Sequence, residues 1–181
     1  MRRVLLTFGA AALLSGCAGS GDGAPSAASF GAPAAATAAA GAPMDTAAYA
    51  AEAGRIDLYE IRSSELAATQ ASSPAVKSFA AQMVRDHTAS TRMMTSAVGQ
   101  TGMIAAPPTL DPRRQALVDQ LKAAQGADFD RLYVQQQKQA HQEALALHQA
   151  YAKDGKAPEL RTVAQQIVPV VQHHAEMLQS M

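Results

Sequence analysis

The chain has 181 residues, of which 48% are hydrophobic and 17% charged, enough for one globular domain with additional segments. Its 15 basic and 15 acidic residues cancel, so no net positive field is available to hold nucleic acid or another polyanion. Aromatic residues make up only 4%, tryptophan is absent and alanine is abundant, a composition that favours close-packed helices and an all-α fold.

The amino terminus has the parts of a secretory signal. Two arginines precede an apolar run over residues 4–14, which is too short to form a permanent membrane span. The tetrapeptide Leu-Ser-Gly-Cys that ends at Cys17 resembles the bacterial lipobox, in which the cysteine is acylated and the preceding signal is removed. Cys17 is the only cysteine in the sequence. The sequence therefore predicts a lipoprotein signal peptide over residues 1–16 and a membrane anchor through lipid on Cys17.

A tether follows the predicted lipid anchor. Residues 18–43 are almost entirely Gly, Ala, Ser and Pro, a composition that cannot bury enough surface to fold. Residues 17–43 are therefore predicted to be the lipidated cysteine and a flexible linker. Ala18, directly after the cysteine, resembles the outer-membrane address of enterobacterial lipoproteins. We expect a cell-envelope protein that faces the periplasm and is anchored to the outer membrane.

Residues 44–181 carry helix signals throughout and are predicted to form the folded domain. The first helical stretch covers residues 44–71. Its helical period predicts one inward face, with a carboxylate on or beside it, and a flank next to that face. The predicted face consists of Leu58, Ile61, Glu65 and Ala68, and the predicted flank of Ile56, Glu60 and Ala67.

The second long helix is predicted to begin with Ser73 as N-cap and Pro74 as first residue, and to end near Gly102. Its apolar stripe includes Phe79 and Met83, and His87 continues that stripe at helical spacing. A buried imidazole needs hydrogen-bond partners or a metal. His87 is therefore the first candidate functional residue.

The remaining chain predicts one short and two long helices. The short helix begins at Asp111-Pro112 and ends before Gly126, and a long helix with Gly155 as C-cap covers residues 128–154. The last helix begins at Pro158 and is predicted to kink at Pro169. Four long amphipathic helices, with a short extra helix in the connection between the second and third, predict a four-helix bundle.

Four segments look like the signature of a known bacterial family. They are LYEI at 58–61, KSFAAQMVRDH at 77–87, FDRLY at 129–133 and VPVVQHH at 168–174. The family consists of uncharacterised envelope proteins with a domain of unknown function, often labelled predicted outer membrane proteins and grouped with ferritin-like four-helix folds. The resemblance covers residues 44–181 and implies a ferritin-like bundle in the periplasm. Because the family has no agreed activity, the resemblance implies a fold rather than a function.

Inward-facing histidines on three helices predict a candidate metal site. His87, His141 and His174 recur at inward spacing, and Glu60 or Glu65 could come from the remaining long helix. Three imidazoles and a carboxylate suit a single Fe, Zn or Cu ion.

The residues around these histidines refine the candidate site. Asp86 could orient a neighbouring imidazole. A ferritin-type di-iron site would need glutamates three residues before two of the histidines, where the sequence has Val84 and Val171. An intact di-iron site is therefore not expected.

Other interpretations of the same residues remain open. The three histidines could be core residues that bond Glu60, Glu65, Asp86 or the carbonyl of Gln165, or they could make the fold sensitive to pH. Two further histidines, His148 and His173, are expected at a rim or in water. The sequence also has methionines at helical spacing, which usually fill cores rather than bind Cu(I): Met83, Met93, Met94 and Met103.

No catalytic motif is present, since the sequence lacks a glycine-rich phosphate loop, a Gly-x-Ser-x-Gly elbow and a second cysteine. The first hypothesis is a non-catalytic, lipid-anchored bundle that binds another envelope protein or a small molecule, in a stress-related role. The alternative is a mononuclear metal-binding or metal-dependent redox protein that uses the inward histidines and a glutamate.

Overall fold

The computed structural model describes residues 44–181, and the predicted signal peptide, Cys17 and linker lie outside them. This part of the chain is all-helical, which confirms the predicted fold class. Its helices are α1 (Thr46–Gln70), α2 (Pro74–Gln100), α3 (Pro112–Ala123), α4 (Gly126–Asp154) and α5 (Pro158–Gln179). Within residues 44–181 no helix combines the length and apolar composition that crossing a bilayer requires.

The four long helices form the bundle, and the short α3 packs on its side. α1 packs against α2 and α4, and α5 packs against α4 and α2, so each long helix has two long neighbours. α3 lies against α1 and α4. The predicted extra helix between the second and third long helices is therefore confirmed.

Helix starts follow the capping residues that the sequence indicates. Ser73 Oγ accepts the N–H of Val76, and Pro74 is the first residue of α2. Asp111 Oδ1 accepts the N–H of Arg114 at 2.8 Å at the start of α3. Such caps satisfy amide groups that have no partner inside the helix.

The ends of the last two helices differ in detail from the prediction. α4 begins at Gly126, two residues earlier than predicted, and this glycine has φ +59°. Gly155 follows α4 with φ −63°, so it is not needed for a left-handed cap. It is needed for space, because a Cβ at this position would collide with the ring of Tyr151. α5 continues through Pro169 as one helix.

A layer of buried polar residues separates two apolar clusters. The first cluster contains Tyr49, Tyr151 and Leu160, and the second contains Phe79 and Tyr133. On every long helix the positions of this layer fall between those of the two clusters, whereas the buried polar residues Gln70 and His148 lie outside the layer. The members of this polar layer are Asp57, Glu60, Ser63 and Ser64 on α1, His87 and Ser90 on α2, Gln136, Gln137 and His141 on α4, and His174 on α5.

The prediction of which face of α1 points inward is wrong. Leu58 and Ile61 are only partly buried, and Glu65 is exposed together with the rest of that face. The core side is the predicted flank, where Ile56 and Glu60 are 3% and 0% exposed. The error has a physical reason, because the middle of α1 turns polar side chains inward and its hydrophobic period therefore does not mark the core face.

Gln70, the last residue of α1, anchors the end of α3. Its side-chain amide lies 3.0, 3.1 and 2.7 Å from the carbonyl oxygens of Leu121, Lys122 and Ala124. The last carbonyls of a helix lack the usual intrahelical donors. That of Leu121 also accepts the N–H of Ala124 at 3.1 Å. Gln70 is 8% exposed, so water cannot fully replace it.

Replacing Gln70 with leucine is expected to destabilise the bundle by about 1–3 kcal/mol, because the carbonyls at the end of α3, one buried and two partly buried, would lose their side-chain donor. Urea unfolding followed by circular dichroism measures this change. Gln115→Leu is the matched control, since Gln115 is exposed on α3. Its effect is expected within about 0.5 kcal/mol. Equal stability of the two variants would contradict the anchoring role of Gln70.

Candidate metal centre

Three buried imidazoles meet in the polar layer, each from a different helix. α2 supplies His87, α4 supplies His141 and α5 supplies His174, and their exposed fractions are 4%, 1% and 1%. The ring centroids lie 5.8, 5.8 and 5.4 Å apart. One ring nitrogen from each lies within 4.8 Å of the others. We call these three residues the histidine triad.

The ring of His87 is fixed by a carboxylate on α1. His87 Nδ1 lies 2.9 Å from Asp57 Oδ1. Thr91, one turn further along α2, donates its hydroxyl to Asp57 Oδ2 at 3.1 Å. The carboxylate is therefore held on both oxygens. It accepts the Nδ1 proton of His87 and leaves Nε2 on the opposite side of the ring.

The other two rings are fixed in the same way. His141 Nδ1 lies 2.9 Å from the carbonyl oxygen of Gln137, one turn earlier on α4. His174 Nε2 lies 2.9 Å from Asp86 Oδ2, on α2. Each ring thus donates one N–H to an oxygen that has no proton to give. In a neutral ring the second nitrogen then carries a lone pair.

The second nitrogens of all three rings lack a hydrogen-bond partner among the described residues. They are His87 Nε2, His141 Nε2 and His174 Nδ1, and all three are buried. Buried polar atoms nearly always have a partner, so three such atoms in one cluster require an explanation. Three lone pairs on adjacent rings can bind a metal ion.

The pKa values of the triad favour neutral rings at two positions. Burial, together with the charge of His87, lowers the pKa of His141 to about 3. Burial also lowers the pKa of His174, against the opposing effect of its hydrogen bond to Asp86. Burial alone would lower the pKa of His87, but the hydrogen bond and charge of Asp57 raise it above the usual value. His87 is therefore the ring that holds a proton most readily in the metal-free protein.

Glu60 lies beside the triad rather than within its set of converging atoms. Its side chain is fully buried, and neither carboxyl oxygen has a partner among the described residues. Oε1 lies 3.7 Å from His141 Nδ1, the nitrogen that already bonds Gln137. Burial raises the pKa of Glu60 to about 7, against the opposing charge of His87. Glu60 is thus a buried acid beside Nδ1 of His141, on the other side of that ring from the unpartnered Nε2.

Glu65 does not reach the triad, contrary to the sequence prediction. Its side chain is 52% exposed and lies 3.8 Å from Arg62. The reason is the rotation of α1, which turns Glu60 inward and Glu65 outward. Asp86 does lie beside the triad, and its partner is His174.

The prediction that His148 lies at a rim or in water is also wrong. His148 is 2% exposed, and its Nδ1 lies 2.8 Å from the hydroxyl of Tyr49. Burial lowers its pKa to about 4. His173 is exposed, as expected. The methionine positions fit the core interpretation, because Met83 and Met94 are both buried members of the apolar clusters.

Two groups that hold the triad, Asp57 and the carbonyl of Gln137, were not predicted from the sequence. Asp57 precedes Glu60 by three residues, so the pair would have marked the inward face if the polar side of α1 had been considered. The carbonyl oxygen of Gln137 has no sequence signal, because every residue has one. Its role depends only on the ring four residues later.

The fold and the site define an all-helical bundle with a buried cluster of imidazoles. Residues 31–181 match the domain of unknown function DUF4142, so the chain belongs to the DUF4142 family. Residues 1–18 match the prokaryotic membrane lipoprotein lipid attachment site. This match confirms the predicted lipoprotein signal and indicates a lipid-anchored envelope protein. No curated protein matches the sequence.

Solved structures with the same fold are distant in sequence. CopM in its Cu(II)-bound form has a TM-score of 0.66 and 17% identity, covering 76% of this chain and 95% of CopM. CopM in its Cu(I)-bound form has a TM-score of 0.63 and 18% identity, covering 75% and 93%. A DUF305 fragment from Deinococcus radiodurans has a TM-score of 0.66 and 16% identity, covering 75% and 93%. These likenesses show the fold alone, and the ferritin-like label stays a prediction.

Proposed function

We propose that this lipid-anchored envelope protein binds one copper ion at the triad of His87, His141 and His174. The observation that carries the proposal is the cluster of three buried ring nitrogens without protein partners. Leaving such atoms unsatisfied costs free energy, and one bound cation would satisfy all three. The interpretation of these residues as ordinary core histidines explains only one nitrogen of each ring.

The groups behind the rings suit metal binding. Asp57, Asp86 and the carbonyl of Gln137 each accept the N–H of one ring, which fixes its tautomer and orientation. Such partners raise the basicity of a metal ligand. Bonds of about 2.0 Å to one ion would place the nitrogens about 3.4 Å apart. One nitrogen of each ring lies within 4.8 Å of the others, so the three rings need a closing movement to bind one ion.

The donor set favours copper over the other metals considered. The converging atoms are all imidazole nitrogens, and neither a carboxylate nor a thiolate is among them. Iron sites of this kind use a carboxylate, whereas copper binds nitrogen donors most tightly among the common divalent metals. Structures of CopM, which shares the fold, contain Cu(I), Cu(II) or silver. Zn(II), with a fourth open position, is the main competitor.

The cellular setting is part of the proposal. Acylation of Cys17 would anchor the chain, and residues 17–43 would tether the bundle on the periplasmic side of the outer membrane. Copper held by buried neutral imidazoles is kept away from other envelope proteins. The proposed role is therefore copper binding or buffering without catalysis. An envelope protein or small molecule that exchanges copper with it remains a predicted partner.

We expect the protein purified from membranes in detergent to hold one copper ion per chain after loading and dialysis. Elemental analysis measures the stoichiometry, and loading with equimolar copper and zinc measures the preference. Copper should also raise the unfolding temperature, because a ligand that binds only the folded state stabilises it. Absence of bound metal after loading would overturn the proposal. Binding of zinc in preference to copper would support a metal site at the triad but contradict the assignment of copper to it.

A further inference from the structure

The buried triad raises the question of how an ion reaches it. Its three rings are at most 4% exposed, and their unpartnered nitrogens are buried. The metal must therefore pass between helices. A cavity that touches one of the groups holding the triad is the natural candidate for this passage.

One groove meets this condition. It has a volume of about 400 Å³ and lies between α1, α2 and the connection from α2 to α3. Asp57 and Thr91 belong to its lining. The same Asp57 carboxylate bonds His87 at 2.9 Å and accepts the hydroxyl of Thr91 at 3.1 Å. The floor of the groove is therefore one hydrogen bond away from His87, on the Nδ1 side of its ring, and an ion must pass the edge of that ring to reach Nε2.

The groove owes its shape to small residues on α1. Ala47, Ala50 and Ala51 line it, and Gly54 lies where the connection crosses the helix. A Cβ at Gly54 would lie 3.3 Å from the Cβ of Pro108, closer than most real contacts. The connection therefore rests directly on α1, and the alanines leave an open space beside it.

The chemistry of the walls matches a soft cation. Met94 and Met103 line the groove, and thioether sulfur is a preferred ligand of Cu(I). The Asp57 carboxylate at the floor attracts positive charge. Most of the other lining residues are small or apolar, so they offer a cation few competing sites. Arg55 also lines the groove, and its guanidinium is paired with Glu52 at 2.9 Å. These lining residues suit the passage of a monovalent copper ion better than the permanent binding of that ion.

We propose that this groove is the route by which Cu(I) reaches the histidine triad, with Asp57 at its inner end. The inference rests on the proposed function, because it requires that the triad binds copper. A competing route would pass Asp86, which bonds His174. The side chain of Asp86 is 33% exposed. The two routes differ in the residues that would block them.

Bulky side chains in the groove test the route. Ala51 on α1 and Thr95 on α2 are exposed and line the groove, so phenylalanine at either position would narrow it without entering the core. The matched controls are Ala48→Phe and Ser96→Phe. Both control positions are exposed on the same helices, and neither lines the groove.

The experiment measures copper exchange with the full protein in detergent. Cu(I) is supplied from, and removed by, a coloured Cu(I) chelator in stopped-flow mixing. Ala51→Phe and Thr95→Phe are expected to slow uptake and release together by about tenfold. The equilibrium affinity should stay unchanged, because a blocked route alters the barrier and not the bound state. The two control variants should exchange copper at the wild-type rate.

The other outcomes overturn the proposal in distinguishable ways. Wild-type protein that binds neither Cu(I) nor Cu(II) overturns the route together with the proposed function, and wild-type protein that binds only Cu(II) overturns the Cu(I) route alone. Copper binding with wild-type exchange rates in both groove variants overturns the route alone and points to the Asp86 side. A weaker affinity caused only by faster release would also overturn it, because the groove would then support the bound ion rather than its passage.

Discussion

His174→Ala is expected to lower the affinity for copper by more than about 100-fold, since losing only a partner of a ligand already costs 10–100-fold. His174 contributes one of three nitrogens, and its ring is 1% exposed. No other described histidine lies in the converging set to replace it. Copper competition with a calibrated chelator measures the change.

The neighbouring His173→Ala is the matched control. His173 is exposed and lies one residue away on the same helix, so the variant removes an imidazole outside the site. It should bind copper like the wild type, and so should Glu65→Gln, because Glu65 faces away from the triad. Circular dichroism of the metal-free variants checks that His174→Ala still folds. Equal losses in the His173 and His174 variants would contradict the assigned site.

The sequence predicted most of the fold because the helix starts carry local signals. Pro74, Pro112 and Pro158 stand at the first positions of three helices, and each signal acts within one turn. Three of the inward histidines also followed from helical spacing, since the faces of α2, α4 and α5 are marked by apolar neighbours. The orientation of α1 did not follow, because polar residues such as Asp57 and Glu60 occupy its core face.

The details of the site depend on contacts that sequence spacing cannot supply. The partner of His87 is 30 residues away in the chain, and the partner of His174 is 88 residues away. These partners decide which nitrogen of each ring stays unbonded. The burial of His148 was missed for the same reason, since its partner Tyr49 is 99 residues away.

The metal-free protein is expected to lose stability as the pH falls below 6.5. In the folded state His141 and His148 have pKa values of about 3 and about 4, below the ordinary 6.5. The unfolded chain therefore binds protons that the folded chain does not, and stability falls on acidification. Glu60 acts in the opposite direction between pH 7 and 4.5, because burial raises its folded pKa to about 7.

His87 and His174 oppose each other, because the folded pKa of His87 is raised and that of His174 is lowered. The net effect is therefore taken from the other three groups. Two histidines favour unfolding in acid and one carboxyl opposes them. Unfolding between pH 6.5 and 4.5 is therefore coupled to the net uptake of about one proton. At about 1.4 kcal/mol per pH unit for one proton, the expected loss is on the order of 3 kcal/mol over this interval. Urea unfolding at a series of pH values, with a chelator present, measures it.

Glu60→Gln tests the contribution that opposes acid unfolding. The variant removes the group that opposes acid unfolding, so its stability should fall about twice as steeply between pH 6.5 and 4.5. Glu65→Gln is the control, because that carboxyl is exposed and its removal should leave the slope unchanged. A pH-independent stability of the wild type would contradict neutral, buried His141 and His148. Copper-bound protein should resist acid further, since protons must displace the ion before they reach the ring nitrogens.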